Sequence, residues 1–267
     1  MCEASVFLLR EGREELVMEK VDRVIPGADD MIVLESIFGE RKLVKARIAE
    51  MELVHHRILL EEVIETVRPA TDDEIWLDLA TDHGHFHSGD SVRLNLFKGR
   101  NMRPAAIGTL TDPEVFVVKE GDTDAVHCHA HEGSLTIDLG QEADGLLTVY
   151  AHEAGERELF AKIIVEIGHH HHHGLSPAGL GLEIVPASYS HVHLGDNYEV
   201  QVLKDGKPFA GAEVLATYSS HKGGQYPIRL VTDAEGRARV LLSARGNWLF
   251  SVTDEKITST FTLIKSF

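Results

Sequence analysis

Tyr198-Glu199-Val200-Gln201-Val202-Leu203-Lys204-Asp205-Gly206-Lys207 sets the fold class. Apolar and polar side chains alternate up to Leu203, the period-two pattern of a half-buried strand. Asp205-Gly206 then supplies two residues that tolerate φ > 0, the strongest short-range hairpin signal. The run Ala212–Tyr218 flanks the turn on its far side. Outward from this point the same grammar continues. Thr232-Asp233-Ala234-Glu235-Gly236 precedes Arg237–Leu242, and Asn247–Val252 and Ile257–Ile264 follow. Upstream lie Ile75-Trp76-Leu77, Val92–Phe97, Val115–Val118, Ser134–Leu139, Leu146–Ala151 and Leu159–Ile167. Short strands at regular spacing, with turn residues between them, indicate sandwiches rather than helical layers.

Residues 3–62 carry a second, more compact pattern: Ala4–Leu9, Leu16–Val24, Met31–Ile37, Lys42–Leu53 and Arg57–Glu61. Turn signals such as Pro26-Gly27-Ala28-Asp29-Asp30 and Phe38-Gly39-Glu40 separate them. Five strands in so short a stretch suggest a small barrel, at a size where a core alone is marginal and a homodimer interface is a reasonable supplement. The polar segment 66–73 and the run Gly168-His169-His170-His171-His172-His173-Gly174 interrupt the strand pattern. The expectation is an all-β chain: a five-stranded β-barrel over 1–66, then two immunoglobulin-like β-sandwich domains over 74–168 and 174–267.

The chain has 267 residues, with 26 Lys and Arg against 43 Asp and Glu, a net charge of −17. A field of that sign repels phosphate backbones and anionic lipid, so nucleic acid is not an expected partner. No run approaches the length needed to insert into a bilayer. The apolar stretch Val6–Leu9 is too short for a secretory signal, and the two cysteines, Cys2 and Cys128, give no disulfide framework. These readings lead to the expectation of a cytoplasmic protein. Searches for GxSxG, GxxxxGK[ST] and HExxH find nothing, and the plentiful carboxylates follow the general acidity. An enzyme is not expected.

Seventeen histidines, many of them clustered, stand out against this background. In His83-Gly84-His85-Phe86-His87 and His127-Cys128-His129-Ala130-His131 the imidazoles recur at alternate positions. In an extended chain those positions share a face, and side chains leaning together permit two or three imidazoles on one ion. Around Gly84 and Ser88-Gly89-Asp90 a loop of solvated histidines is an equal reading. On a strand Cys128 would face away from its neighbours and act as a small buried hydrophobe, whereas at a hairpin tip its thiolate could join the imidazoles. The five-histidine run His169–His173 is internal and sits between strand patterns, unlike a terminal purification tag. It reads as a low-affinity collector of borderline metals. His152 and the pair His191/His193 are weaker candidates. At the N-terminus, removal of Met1 would leave a thiol and an α-amine on Cys2. With the Glu3 amide nitrogen deprotonated these would give a planar N,N,S donor set suited to Ni(II) or Cu(II), although the residue alone also reads as an ordinary exposed N-terminal cysteine.

Met1-Cys2-Glu3-Ala4, Val6-Phe7-Leu8-Leu9, Val21-Asp22-Arg23-Val24-Ile25-Pro26 and Ile37-Phe38-Gly39-Glu40 resemble the CooT family of small nickel-binding proteins, over residues 1–62. The resemblance implies a cytoplasmic, dimeric β-barrel that holds Ni(II) through Cys2 in support of carbon monoxide dehydrogenase maturation. His55-His56 is not read as a joint site, because neighbouring strand residues point to opposite faces.

A second set of motifs resembles the NikK-like domain of periplasmic nickel-uptake proteins. It comprises His171-His172-His173-Gly174, Gly179-Leu180-Gly181-Leu182-Glu183-Ile184-Val185-Pro186, Thr232-Asp233-Ala234-Glu235-Gly236 and Gly246-Asn247-Trp248. That likeness is strongest over 169–252. The chain departs from it at residues 72–74, which are Asp-Asp-Glu where a histidine would start the domain, which puts that N-terminal metal site in doubt, and the periplasmic location does not carry over.

Together these point to a nickel metallochaperone or buffer with Ni(II) as cargo. Its expected partners are a nickel-enzyme maturation factor or a nickel transporter. The alternatives are a metal-responsive regulator or adaptor of such a system, and a non-metal sandwich scaffold. Donor chemistry alone would favour Cu(II), so nickel rests on the resemblance.

Overall fold

The computed structural model describes residues 3–10, 13–26, 31–52, 54–62, 74–81, 84, 86–105, 110, 112–131, 134–168, 175–188 and 193–264. Among them there is no helix. The chain separates into two compact units, Met1–Val67 and Arg68–Phe267.

The first unit is a closed barrel of five strands, β1 (Ala4–Arg10), β2 (Arg13–Pro26), β3 (Met31–Ser36), β4 (Arg41–Glu52) and β5 (Arg57–Glu62). Antiparallel pairing runs from β1 to β5, and a parallel β1–β5 ladder from Ser5↔Arg57 to Leu9↔Glu61 closes it. So few strands close only if they bend sharply. Register shifts at Ala4/Val6 and Val6/Phe7, at Val21/Arg23 and at Ile48/Glu50 mark where they do so. The core is small: Val6, Leu8, Val21, Ile32, Leu34, Ala46, Ile58 and Leu60. Several large apolar side chains stay outside it, among them Phe38 (70% exposed), Leu43 (61%) and Val54 (84%).

The second unit contains β6 (Glu74–Leu79), β7 (Arg93–Arg100), β8 (Arg103–Pro104), β9 (Glu114–Lys119), β10 (Asp122–Ala125), β11 (Cys128–His131), β12 (Ser134–Asp138), β13 (Gly145–Glu153) and β14 (Glu158–Ile167). There follow β15 (Leu182–Pro186), β16 (Asn197–Lys204), β17 (Lys207–Pro208), β18 (Glu213–Tyr218), β19 (Ile228–Val231), β20 (Arg237–Leu241), β21 (Trp248–Asp254) and β22 (Ile257–Leu263). One sheet of eight strands, in the order β10-β9-β13-β14-β22-β21-β18-β19, runs through the whole unit. A sheet ordered β11-β12-β7-β6, with β8 on β7, contributes to one core with Ile75, Leu94, Ile137, Val149 and Ile163. A sheet ordered β15-β16-β17, with β20 on β16, contributes to the other with Ile184, Val200, Val214, Trp248 and Phe250. Both segments thus fold as sandwiches, and they share a sheet because β14 pairs in parallel with β22, from Glu158↔Ile257 to Ile163↔Thr262. β14 is accordingly buried on both faces. Ile163 packs into one core and Ile164 into the other, which explains the unbroken apolar run Ile163-Ile164-Val165.

The Asp-Gly turn is present, with Asp205 at φ 51° and Gly206 at φ 73°. Its second arm is the two-residue β17, paired at Lys204↔Lys207 and Leu203↔Pro208. The run Ala212–Tyr218 crosses instead to the eight-stranded sheet.

Strand β6, at the edge of its sheet, has its carbonyls covered by β22. Thr260 Oγ1 donates to Ile75 O at 2.7 Å and Thr262 Oγ1 to Leu77 O at 2.6 Å. Glu74 at its start is buried and accepts from Tyr226 Oη (2.5 Å), Ser251 Oγ (2.8 Å) and the Asn101 amide (3.1 Å). The third acid of Asp-Asp-Glu is therefore an internal acceptor, with its oxygens committed to the fold.

Candidate metal centre

The sequence candidates fall into those the structure places and those outside the described residues. Cys2, His83, His85, His169, His170, His171, His172, His173 and His191 belong to the second group.

β1 starts beside the β4–β5 turn, since the Ser5 amide donates to His56 O at 2.8 Å. His56 takes the left-handed conformation, at φ 51°. His55 is exposed, with Nδ1 3.4 Å from Glu52 Oε2. Arg57 next to it bonds Glu14, lies 3.2 Å from Glu52 and stands 5.3 Å from the Phe7 ring centroid. The Glu14 hydrogen bond, then both carboxylate charges, push its pKa up.

His87 is exposed, and its amide donates to Asp90 Oδ2 at 2.7 Å. Phe86 before it is buried and bridges in parallel to Ile167, while the Gly168 amide donates to Phe86 O at 2.8 Å. Gly84 packs so closely that a Cβ there would lie 2.6 Å from Ile264 Cγ2. Packing thus fixes Gly84 and Phe86 to the sandwich. Gly168 is the residue before the five-histidine run, which itself lies outside the described residues. Ser88 Oγ donates to Asp144 Oδ1 at 2.7 Å, and the Leu139 amide donates to Val92 O at 3.0 Å.

The third cluster lies on β11, an edge strand. Cys128↔Ile137 and Ile137↔Leu94 carry the register across to β7. The start of β11, the end of β12 and the start of β7 therefore lie at one end of the sheet. His127 and His129 are exposed, whereas Cys128 packs partly against the core. Burial pushes its thiol pKa up, leaving it a poor thiolate donor. The backbone of His131 pairs with Ser134.

His152 stacks on Phe160 at 4.6 Å, with Nε2 2.6 Å from Glu158 Oε2 and Nδ1 3.9 Å from Glu114 Oε2. The carboxylates thus face opposite edges of its ring. His193 is exposed, with Nδ1 3.5 Å from Asp196 Oδ2. Among the described residues, no three His, Cys, Asp or Glu side chains converge to hold a metal ion.

Besides Glu74, Lys162 and Glu183 are buried charged groups that sequence reading passed over. Lys162 Nζ and Glu183 Oε1 are 2.5 Å apart, and the amides of Ala178, Gly179 and Leu180 also donate to Glu183. Desolvation lowers the Lys162 pKa, opposed by Glu183. Neither residue breaks its local pattern in a way that flags burial. A cavity of about 260 Å³ beside the β13–β14 turn is lined by Lys98, Glu153 and Arg157 among others, with Lys98 and Glu153 2.7 Å apart.

The family described as CO dehydrogenase accessory protein CooT matches residues 1–61, and the domain of unknown function DUF4198 matches residues 55–256. The solved structure of a putative CooT from Carboxydothermus hydrogenoformans is 52% identical, covering 23% of this chain and 98% of that one, with a TM-score of 0.22. The D0-D1 domain of intimin is 16% identical over 72% of this chain and 98% of its own, with a TM-score of 0.23. Murine CEACAM1b is 13% identical over 72% and 99%, with a TM-score of 0.22. No curated protein matches the chain. The chain belongs to the CooT family through its N-terminal barrel and to the DUF4198 family through the region that follows.

Proposed function

We propose that this protein is a cytoplasmic nickel metallochaperone or nickel buffer. Cys2 holds Ni(II) firmly through its thiolate, α-amine and the following amide nitrogen, and the histidine-rich second unit collects the ion at lower affinity. The observation that carries the reading is the 52% identity of the barrel to a CooT structure across nearly all of that chain. The CO dehydrogenase accessory description of the family supports a nickel-enzyme maturation factor as the partner. The likeness of residues 169–252 to NikK-like nickel-uptake domains supports nickel as the cargo of the second unit too. The small barrel core and its exposed Phe38, Leu43 and Val54 support a homodimer through the first unit.

The test is a nickel titration followed by absorption, comparing the chain with Cys2→Ser. A sulfur-to-nickel charge-transfer band that disappears on substitution, with weaker binding retained, is the expected result. A band that survives removes Cys2 as a ligand. A metal-responsive adaptor of a transporter is the second reading, favoured by the same NikK likeness. It predicts nickel-dependent binding to a transport component without transfer of the ion.

A further inference from the structure

We propose that the cavity beside the β13–β14 turn binds a small zwitterion, a free α-amino acid, with Lys98 and Arg157 taking its carboxylate and Glu153 and Glu156 its ammonium. The inference is independent of the nickel reading and concerns a part of the second unit away from the histidine runs.

Comparison of the two sandwiches isolates this cavity as an addition. The eight-stranded sheet has the same order from either end, with β14, β13, β9 and β10 answering to β22, β21, β18 and β19. Because β14 and β22 run parallel and the two cores lie on opposite faces of β14, a half-turn about an axis between these strands exchanges the halves. The correspondence reaches single residues. His87, Gly89, Asp90 and Lys98 recur at constant spacing as His193, Gly195, Asp196 and Lys204. In both copies the histidine amide donates to the aspartate Oδ2, at 2.7 and 2.6 Å, and the glycine is left-handed, at φ 92° and 90°. Each lysine then meets an acid at the end of a central strand: Lys98 lies 2.7 Å from Glu153, and Lys204 2.5 Å from Asp254. The halves part at the turn that follows. The pair Asp254↔Ile257 encloses only Glu255 and Lys256, whereas Glu153↔Leu159 encloses residues 154–158. The longer turn walls in the lysine–acid pair: Lys98 and Glu153 are 15% and 3% exposed, against 42% and 21% for Lys204 and Asp254.

Charge and size select the occupant. The cavity, about 260 Å³, is smaller than the roughly 300–1,000 Å³ of sites for drug-sized ligands, so its guest has few heavy atoms. Its wall carries two cations, Lys98 and Arg157, and two carboxylates, Glu153 and Glu156. A net anion would enter against the field of a chain of charge −17, and a simple cation would leave both cationic groups facing it. A zwitterion adds no net charge and offers each sign a charge-assisted partner. Lys98 has three N–H donors, more than its contact with Glu153 uses, and its burial strengthens attraction for a second carboxylate. The rim is braced by the shorter turn of the other half. Arg157 Nη2 donates to Glu255 O at 3.2 Å, and the Glu158 amide donates to Lys256 O at 2.9 Å.

The experiment titrates the full-length chain calorimetrically with glycine, alanine and leucine, and separately with acetate and methylammonium, up to about 10 mM, which covers millimolar dissociation constants. The expected result is binding of at least one amino acid, with neither half-molecule binding comparably, and a melting temperature raised by the bound ligand. Arg157→Gln should weaken that binding by about tenfold or more, the scale of one charge-assisted hydrogen bond, in a chain that remains folded. Lys204→Met, the equivalent position in the other half, should leave it unaltered. Lys98→Met should abolish it; where that variant fails to fold, Arg157→Gln decides instead. Full binding by a folded Lys98→Met or Arg157→Gln chain overturns the proposal. Acetate binding as tightly as the amino acids would make the cavity an anion pocket, and no binding by any amino acid would make it a water-filled recess; either result also overturns it.

Discussion

Lys162 Nζ lies 2.5 Å from Glu183 Oε1, with both side chains almost fully buried. The pair ties β14 to β15, and Glu183 also gathers the amides of Ala178, Gly179 and Leu180, the segment leading into β15. Removing one partner leaves a desolvated charge alone. Glu183→Ala should therefore cost about 3–5 kcal/mol of unfolding free energy in urea titration. Lys162→Met combined with Glu183→Leu should cost clearly less than the two single losses added together.

Glu74 gives a pH dependence of defined sign. Burial, the largest cause, raises its carboxyl pKa above the ordinary glutamate value, against the lowering effect of Tyr226, Asn101 and Ser251. A raised acid favours the folded state most when protonated. Its contribution is complete below the unfolded value of about 4.3 and is lost as pH rises through the folded pKa. The unfolding free energy of Glu74→Gln relative to the native chain should therefore improve from acid pH towards neutrality. A difference flat across that range would show that the carboxyl titrates as it does in the unfolded chain.

The exposed apolar surface of the barrel predicts its own behaviour. Leu43→Glu with Phe38→Ser should convert a two-chain species into a single-chain one in light scattering, with little loss of secondary structure. An unchanged mass would place any dimer contact elsewhere.

Gly84 tests how firmly the first histidine motif is held. A methyl group there meets Ile264 Cγ2 at 2.6 Å. Gly84→Ala should cost about 1–3 kcal/mol, as overpacking of a close contact does. Ile264→Ala should recover part of that loss, whereas a solvated loop would tolerate the change.

Much of the architecture could be read before the structure, because alternation and turn chemistry are local signals. The five barrel strands, the Asp205-Gly206 turn and the all-β class follow from them. The β14–β22 ladder does not, since parallel pairing between strands so far apart leaves no short-range trace in either. The same limit applies to the site. The alternation around Cys128 indicates which side chains share a face, but that His129 lies across from Thr136 and Cys128 across from Ile137 appears only in the β11–β12 register. Glu74, Lys162 and Glu183 were missed because a charged residue in a strand reads as solvent-facing until its partners are known. The Phe86–Ile167 bridge likewise depends on a contact between distant segments.

The shared sheet also sets an order of assembly during synthesis. β14 emerges from the ribosome well before β22, yet one of its edges is completed only by that later strand. Until residues 257–263 are available, that edge of the nascent chain is open to other partners, and the histidine-bearing half must wait with it unpaired. Stalling translation on either side of β22 and probing protease resistance would locate the moment when both halves lock together.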